Sequence, residues 1–336
     1  MNSPAENYKK WAEQTRRAVP PNGECEYFDI AGIPVCIRLQ HQELRSIFFS
    51  AIAHLRISPC RAEYSIDVWD AGTAGDSFPE FEHQIEDIEL RGDIPKYSGD
   101  GVDFAYFAHA NMAHILNENK KHGIVAVRNL SHMPRFELAC PFRAIFSWLL
   151  RNNKKAIIHS AALADNVGNA YLILGKSGAG KSTTAISCFL SGMKYIGDDL
   201  CVLGLVDQQV YVYSLYSSGK TCRSAWQHLP ELEGLAIDSP SRSSEKEVYF
   251  FGEDPQRTCR NARLKVIFVP SKNTSSQSFK EPSIASLISE TLGSTQDILP
   301  GAGFESLALI CKAFKQAPVQ VLPLRNDRAC PIVFND

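Results

Sequence analysis

The stretch Tyr171-Leu172-Ile173-Leu174-Gly175-Lys176-Ser177-Gly178-Ala179-Gly180-Lys181-Ser182-Thr183-Thr184 constrains this chain more than any other. It reads Gly, four residues, then Gly-Lys-Ser. An apolar run suited to a buried strand precedes it, and a helix-forming pattern starts at Thr183. Glycine backbones adopt dihedrals that a Cβ forbids and can approach phosphate oxygens closely. Backbone N–H groups in such a loop, with a helix N-terminus behind them, make an anion site. On this reading Gly175, Lys176, Ser177, Gly178, Ala179, Gly180, Lys181, Ser182 and Thr183 cradle a nucleoside triphosphate. Lys181 reaches the β/γ-phosphates, and Ser182 sets its hydroxyl on Mg²⁺.

A chain of 336 residues has the size of about two domains. Its net charge is 35 − 37 = −2, so no global basic field points to nucleic acid. Met1 to Arg17 holds no apolar core of a signal peptide, and no run nears the roughly 18 apolar residues of a membrane span. The ten cysteines are scattered singly with no Cys-x2-Cys pair, which reads as reduced, buried thiols in a cytoplasmic protein rather than disulfides or a zinc cage.

Residues 1–22 are a polar lead, mobile or a short helix. Residues 23–152 read as a smaller α+β domain with an antiparallel sheet. It opens with a hairpin whose strands flank Ala31-Gly32-Ile33-Pro34 and continues with an amphipathic helix over Leu44 to Leu55. Strands follow at Tyr64 to Trp69, Val102 to Phe107 and Ile124 to Val127, then a helix over Pro134 to Leu150. Asp70 to Asp76 reads as a loop and Glu80 to Glu89 as a solvated acidic surface. Its histidines (41, 54, 83, 109, 114, 122 and 132) show no ligand spacing and read as packing or surface residues. After the polar break at Asn152 to Lys155, residues 153–336 carry closely spaced strands and few helices. Ser239 to Ser244 and Ser271 to Ser278 read as Ser-rich loops.

Two features flank the phosphate loop. His159 ends an apolar strand before it, and Asp198-Asp199 ends the strand Tyr195-Ile196-Gly197 after it. Phosphoryl transfer needs a phosphate cradle, a metal and a group that orients the nucleophile's proton. A carboxylate pair can supply the last two.

Ile158-His159-Ser160-Ala161-Ala162-Leu163, the loop itself and Gly192-Met193-Lys194-Tyr195-Ile196-Gly197-Asp198-Asp199-Leu200 together resemble the HPr kinase/phosphorylase family. The likeness extends to its stand-alone members, some of which phosphorylate a serine of a lasso-type precursor peptide. It covers about residues 155–205 well and the stretch to about 335 more loosely. It implies a mixed α/β, phosphoenolpyruvate-carboxykinase-like P-loop domain that uses ATP and Mg²⁺. By position, Asp199 would be the general base, with Asp198 joining Ser182 at the metal. His159 would support Asp199, and Lys181 would hold phosphate. The implied acceptor is a serine-type hydroxyl of a peptide or small protein. A small-molecule kinase and a nucleotide-binding regulator without transfer activity are the alternatives. Members of that family are often homo-oligomers.

The chain departs from the family in one place. A Glu metal ligand about two dozen residues past the Asp pair is absent, and that stretch reads Ser217-Ser218-Gly219-Lys220-Thr221-Cys222-Arg223. Lys220, Arg223, Arg260 and Arg263 are candidates for balancing phosphoryl charge.

Overall fold

The computed structural model of the protein describes residues 2–20, 25–74, 78–81, 92–130, 133–237, 246–252, 254–271, 283–299, 306–324, 330 and 332. The chain divides into two units. One is Met1–Asn152 with two short later segments, and the other is the remainder from Asn153.

The first unit begins with a helix where the sequence suggested a polar lead. Ser3 and Glu6 form a reciprocal capping box, Pro4 sits in the first turn and Arg16 and Arg17 in the last, and these define α1 (Pro4–Ala18). Its inner face buries Tyr8, Trp11 and Ala12. β1 (Cys25–Ile30) and β2 (Ile33–Leu39) form the expected hairpin, turning at Ala31 and Gly32, both with positive φ. α2 (Leu44–Phe48), β3 (Arg56–Ile57), β4 (Tyr64–Asp70), α3 (Ala71–Ala74), β5 (Val102–Phe107), β6 (Met112–Asn117), β7 (His122–Val127), α4 (Arg135–Ala139) and α5 (Arg143–Asn152) follow.

Several expectations for this unit need correction. The sheet, in the order β3-β1-β2-β4-β7-β6-β5, is mixed rather than antiparallel, because β2, β4 and β7 run parallel at its centre. The helix expected over Leu44 to Leu55 is α2 followed by a 3-10 turn over Ser50–Leu55. Phe48, Phe49, Ala51, Ile52, His54 and Leu55 are all buried across the junction between the two. Pro141 and Phe142, with φ of 60°, split the helix expected over Pro134 to Leu150. A short helix, α3, occupies the first part of the Asp70 to Asp76 loop. Residues 75–77, most of the acidic stretch Glu80 to Glu89, His83, His132 and most of both Ser-rich loops lie outside the described residues.

Two histidines here illustrate the packing role. His109 Nε2 meets Glu137 Oε1 at 2.6 Å, and Glu137 also pairs with Arg143. His114, on β6, is fully buried edge-on to Phe107, and neither ring nitrogen has a hydrogen-bond partner among the described residues.

The second unit is a mixed α/β layer structure. Its strands are β8 (Ala156–His159), β9 (Ala161–Ala164), β10 (Asn169–Ile173), β11 (Lys194–Gly197), β12 (Leu200–Val206), β13 (Gln209–Tyr213), β14 (Ser218–Cys222), β15 (Lys246–Phe250), β16 (Asn261–Ser271) and β17 (Val319–Pro323). Its helices are α6 (Lys181–Leu190), α7 (Ile284–Gln296) and α8 (Leu307–Gln316). The main sheet runs β11-β9-β10-β16-β13-β12-β8, with β17 also on β16. Leu287, Ile310, Ala313 and Phe314 of α7 and α8 pack among the apolar side chains of one sheet face. Ala185, Ile186 and Phe189 of α6 pack on the other, with Tyr249 and Phe251. β14 and β15 form a separate two-stranded ladder.

One irregularity positions the site. β8 pairs with β12 and β9 with β11, and His159↔Leu200 and Ala162↔Gly197 share one antiparallel register. A single long ladder is therefore interrupted where Ser160 faces Asp198 and Asp199. Ser160 N–H still donates to the Asp199 carbonyl at 3.1 Å.

The expectation of reduced cysteines throughout is wrong at two positions. Cys188 on α6 is disulfide-bonded to Cys330, with Cα atoms 4.4 Å apart. The chain segment bearing Cys330 returns to the helix behind the phosphate loop, a proximity that spacing along the sequence could not show. Among the described residues no helix is long and apolar enough to cross a membrane.

Candidate functional site

The phosphate loop leaves β10 in the middle of the sheet and enters α6. Leu174 N–H donates to the Phe268 carbonyl at 2.9 Å, anchoring the loop's start to β16. Gly178 and Gly180 both have positive φ, 77° and 96°, and Gly180 caps α6 in the left-handed region. Gly180 also lacks room for a Cβ, which would sit 3.0 Å from Leu324 Cδ1. Lys181 folds back on the loop, donating to the carbonyls of Gly175 at 2.6 Å and Lys176 at 3.2 Å. Burial holds its pKa below the usual lysine value, against the opposing pull of Asp198 and Asp199.

Asp198 and Asp199 sit in the ladder interruption. Leu200 N–H donates to the Asp198 carbonyl at 2.8 Å across Asp199, whose φ is 65°. This is a γ-turn of the rare positive-φ kind, a strained conformation that clusters at functional sites. The turn gives neighbouring carboxylates different surroundings. Asp198 is 1% exposed; its Oδ2 accepts from Lys220 N–H at 3.2 Å, and its Oδ1 has no hydrogen-bond partner among the described residues. Burial first, then Asp199, push its pKa up to about 6, opposed by the Ser182 hydroxyl and Lys220. Asp199 pairs directly with the Lys220 ammonium. Burial alone would raise its pKa, but the charge and hydrogen bond of Lys220, with His159 adding, hold it at about 2.

His159 Nε2 lies 3.9 Å from Asp199 Oδ1, beyond hydrogen-bond length. Burial and the nearby Lys181 pull its pKa down to about 4 despite Asp199, so the ring is neutral at pH 7. It is a neighbour of the carboxylate, and no ion pair joins the two at that pH. Its backbone N–H is held by Thr295 Oγ1 at 2.9 Å.

A cavity of about 400 Å³ gathers these groups. Ser177, Gly178, Gly180, Lys181, Ser182 and Thr183 line one wall, with His159 and Asp199 beside them. Gly175, Lys176, Ala179 and Asp198 are not on its surface, and Asp198 lies buried behind Asp199. The facing wall consists of residues absent from the loop motif, namely Lys220, Thr221, Cys222, the turn through His228, and Lys246. Of these, sequence reasoning singled out only Lys220. Lys246 reaches the cavity through the Cys222↔Lys246 pairing of β14 and β15, and no local pattern signals that.

The other cations named from the sequence are elsewhere. Arg223 pairs with Glu247 at 2.5 Å and lies over Trp226. Arg260 and Arg263 are exposed at the start of β16, where Arg263 pairs with Asn169, at the end of β10 opposite the phosphate loop.

No protein-family model matches the chain, and neither does any curated protein. Among solved structures, an Hpr(Ser) kinase/phosphatase from Coxiella burnetii aligns with a TM-score of 0.22 and 11% identity, over 38% of this chain and 71% of that one. So loose a superposition carries no argument about fold or function.

Proposed function

We propose that residues 153–336 form a phosphoenolpyruvate-carboxykinase-like P-loop unit that binds ATP with Mg²⁺ and transfers the γ-phosphoryl group to a serine-type hydroxyl. The observation that carries this reading is one cavity lined by the loop residues Lys181 and Ser182 and, beside them, by the Asp199 carboxylate. A cradle alone binds a nucleotide, whereas a cradle facing an ionised carboxylate can also orient an acceptor.

The donor set fits a single divalent cation. Ser182 stands in the first turn of α6, and the buried Asp198 carries an Oδ1 with no hydrogen-bond partner among the described residues. No group of three or more His, Cys, Asp or Glu side chains among the described residues could cage a metal. Mg²⁺ at phosphate sites needs only one or two protein ligands, because substrate phosphates and water fill the rest. Bound by Ser182 and Asp198, it would neutralise charge on the phosphate chain.

In the proposed step the acceptor oxygen attacks Pγ as the bond from Pγ to the β,γ-bridging oxygen breaks. The hydroxyl proton passes to Asp199, and ADP is the leaving group. Lys181 releases its two loop carbonyls to hold phosphate oxygens. His159, neutral and largely enclosed, limits water around Asp199. The cavity opens to solvent, which favours a peptide or small-protein side chain over a fully enclosed small molecule as acceptor.

The test is transfer from γ-labelled ATP to serine peptides, read by mass as a gain of one phosphate. Lys181→Ala and Asp199→Asn should abolish the gain, and Asp199→Asn should still bind nucleotide. Full transfer by Asp199→Asn would refute the assignment. A second reading, a nucleotide-binding regulator, draws on the Ser217 to Arg223 stretch, which carries no acid where the family that the chain resembles has its Glu metal ligand. Tight Mg·ATP binding with no phosphorylated acceptor would support it instead.

A further inference from the structure

We infer that Lys220 is a second phosphate-binding lysine of this site and that it changes partner on nucleotide entry, from the Asp199 carboxylate to the terminal phosphoryl group. The inference rests on the phosphotransfer reading for its consequence and on geometry for its substance.

Its backbone is fixed by several contacts, and its side chain is paired with Asp199. Lys220 N–H is bonded to Asp198 Oδ2 at 3.2 Å, and Thr221 Oγ1 meets Tyr249 OH at 3.0 Å. Tyr195 OH donates to the Ser218 carbonyl at 2.8 Å. Gly219 sits so close to α6 and β15 that a Cβ would lie 2.8 Å from the Phe251 ring and 3.1 Å from Ile186 Cδ1. Beyond that backbone extends a four-carbon stem with rotatable bonds, ending in an ammonium with three donors. That ammonium and its partner carboxylate are 15% and 16% exposed, and both face the cavity that the phosphate loop lines.

The two cavity lysines differ in what they hold. Lys181 is satisfied by neutral carbonyls of its own loop, a contact that any phosphate oxygen outcompetes. Lys220 is held by a carboxylate, so it moves only to a group of comparable charge. The terminal phosphoryl group of a triphosphate is such a group, and a diphosphate stops short of it. While Lys220 covers Asp199, an acceptor hydroxyl has no carboxylate to meet. The exchange therefore makes the acceptor side of the site available only after ATP has bound.

The test is calorimetric binding of ATP and ADP, each with saturating Mg²⁺, to Asp199→Asn and to the double variant Asp199→Asn/Lys220→Met. The amide background ensures that removing the lysine leaves no uncompensated carboxylate at position 199, so folding is protected. The Asp199→Asn protein should prefer ATP over ADP by about tenfold or more, as one charge-assisted contact provides. The double variant should lose that preference, and Asp199→Asn/Lys220→Arg should keep most of it. An equal ATP:ADP ratio with and without the lysine overturns the inference. If Lys181→Ala still abolishes transfer in that case, the phosphotransfer reading survives alone. Loss of the ratio, where the unsubstituted protein transfers to no acceptor, upholds the lysine contact and removes that reading.

Discussion

His114 makes the pH dependence of the first unit's stability calculable. The ring lies wholly inside, on the central part of a six-residue strand, between Ala105 and Val125 on the neighbouring strands. Burial, then Arg143, pull its pKa down to about 3, and the Glu137 carboxylate only partly offsets them. Above pH 6.5 the ring is neutral both folded and unfolded, so stability there is unaffected by protonation. Below 6.5 the unfolded chain takes up a proton that the folded chain refuses, and stability falls by up to about 1.4 kcal/mol per pH unit. Between pH 6.5 and pH 5 that amounts to about 2 kcal/mol. Substitution His114→Leu removes the titration and two ring nitrogens without hydrogen-bond partners among the described residues. The variant should be no less stable than the parent at pH 7, and its advantage should widen by about 2 kcal/mol at pH 5. Urea unfolding followed by tryptophan fluorescence suits the purpose, because Trp11, Trp69 and Trp148 are all buried in this unit. A stability difference between parent and variant that stays constant from pH 7 to pH 5 would refute the argument.

Two further predictions concern the second unit. Gly219→Ala forces the Phe251 ring and Ile186 to yield, an overpacking cost of about 1–3 kcal/mol, and should lower the melting temperature by several degrees. An unchanged melting curve would show that the β14 platform is looser than its contacts indicate. Cys330→Ser opens a covalent loop of 142 residues and should cost about 2–5 kcal/mol under oxidising conditions and nothing under strong reductant; equal stability in both conditions would contradict a bonded pair.

What could be read from the sequence depended on how local the cause was. The hairpin at Ala31-Gly32 and the strand-loop-helix at Gly175 to Thr183 are set by a few adjacent residues, and both appear in the structure. β9 and β14 were missed because Ala161-Ala162-Leu163-Ala164 and Ser218-Gly219-Lys220-Thr221-Cys222 have little strand character, and pairing with neighbours alone makes them strands. β6 is buried on both faces, so Met112-Ala113-His114-Ile115-Leu116 lacks the alternation that marks a half-buried strand. Periodicity marks Leu44, Phe48, Ala51, Ile52 and Leu55, which are buried, yet Phe49 and His54 are buried outside that pattern and a 3-10 turn replaces the second half of the helix. The near wall of the cavity follows from the motif, while Lys246 and the turn through His228 arrive by a ladder formed between distant segments.

The interrupted ladder at Ser160, Asp198 and Asp199 has a consequence for hydrogen exchange. Ser160 N–H bonds the Asp199 carbonyl across the interruption, Leu200 N–H bonds the Asp198 carbonyl within the turn itself, and both residues are fully buried. The Ser160 amide bridges two buried chain segments and exchanges only when they separate, so its protection should approach that of global unfolding. The amides of Ser177 and Gly178, in the exposed part of the loop, should exchange orders of magnitude faster. The two walls of one cavity would then run on different clocks. The carboxylates form the fixed reference, and the loop adjusts to whatever phosphate it receives.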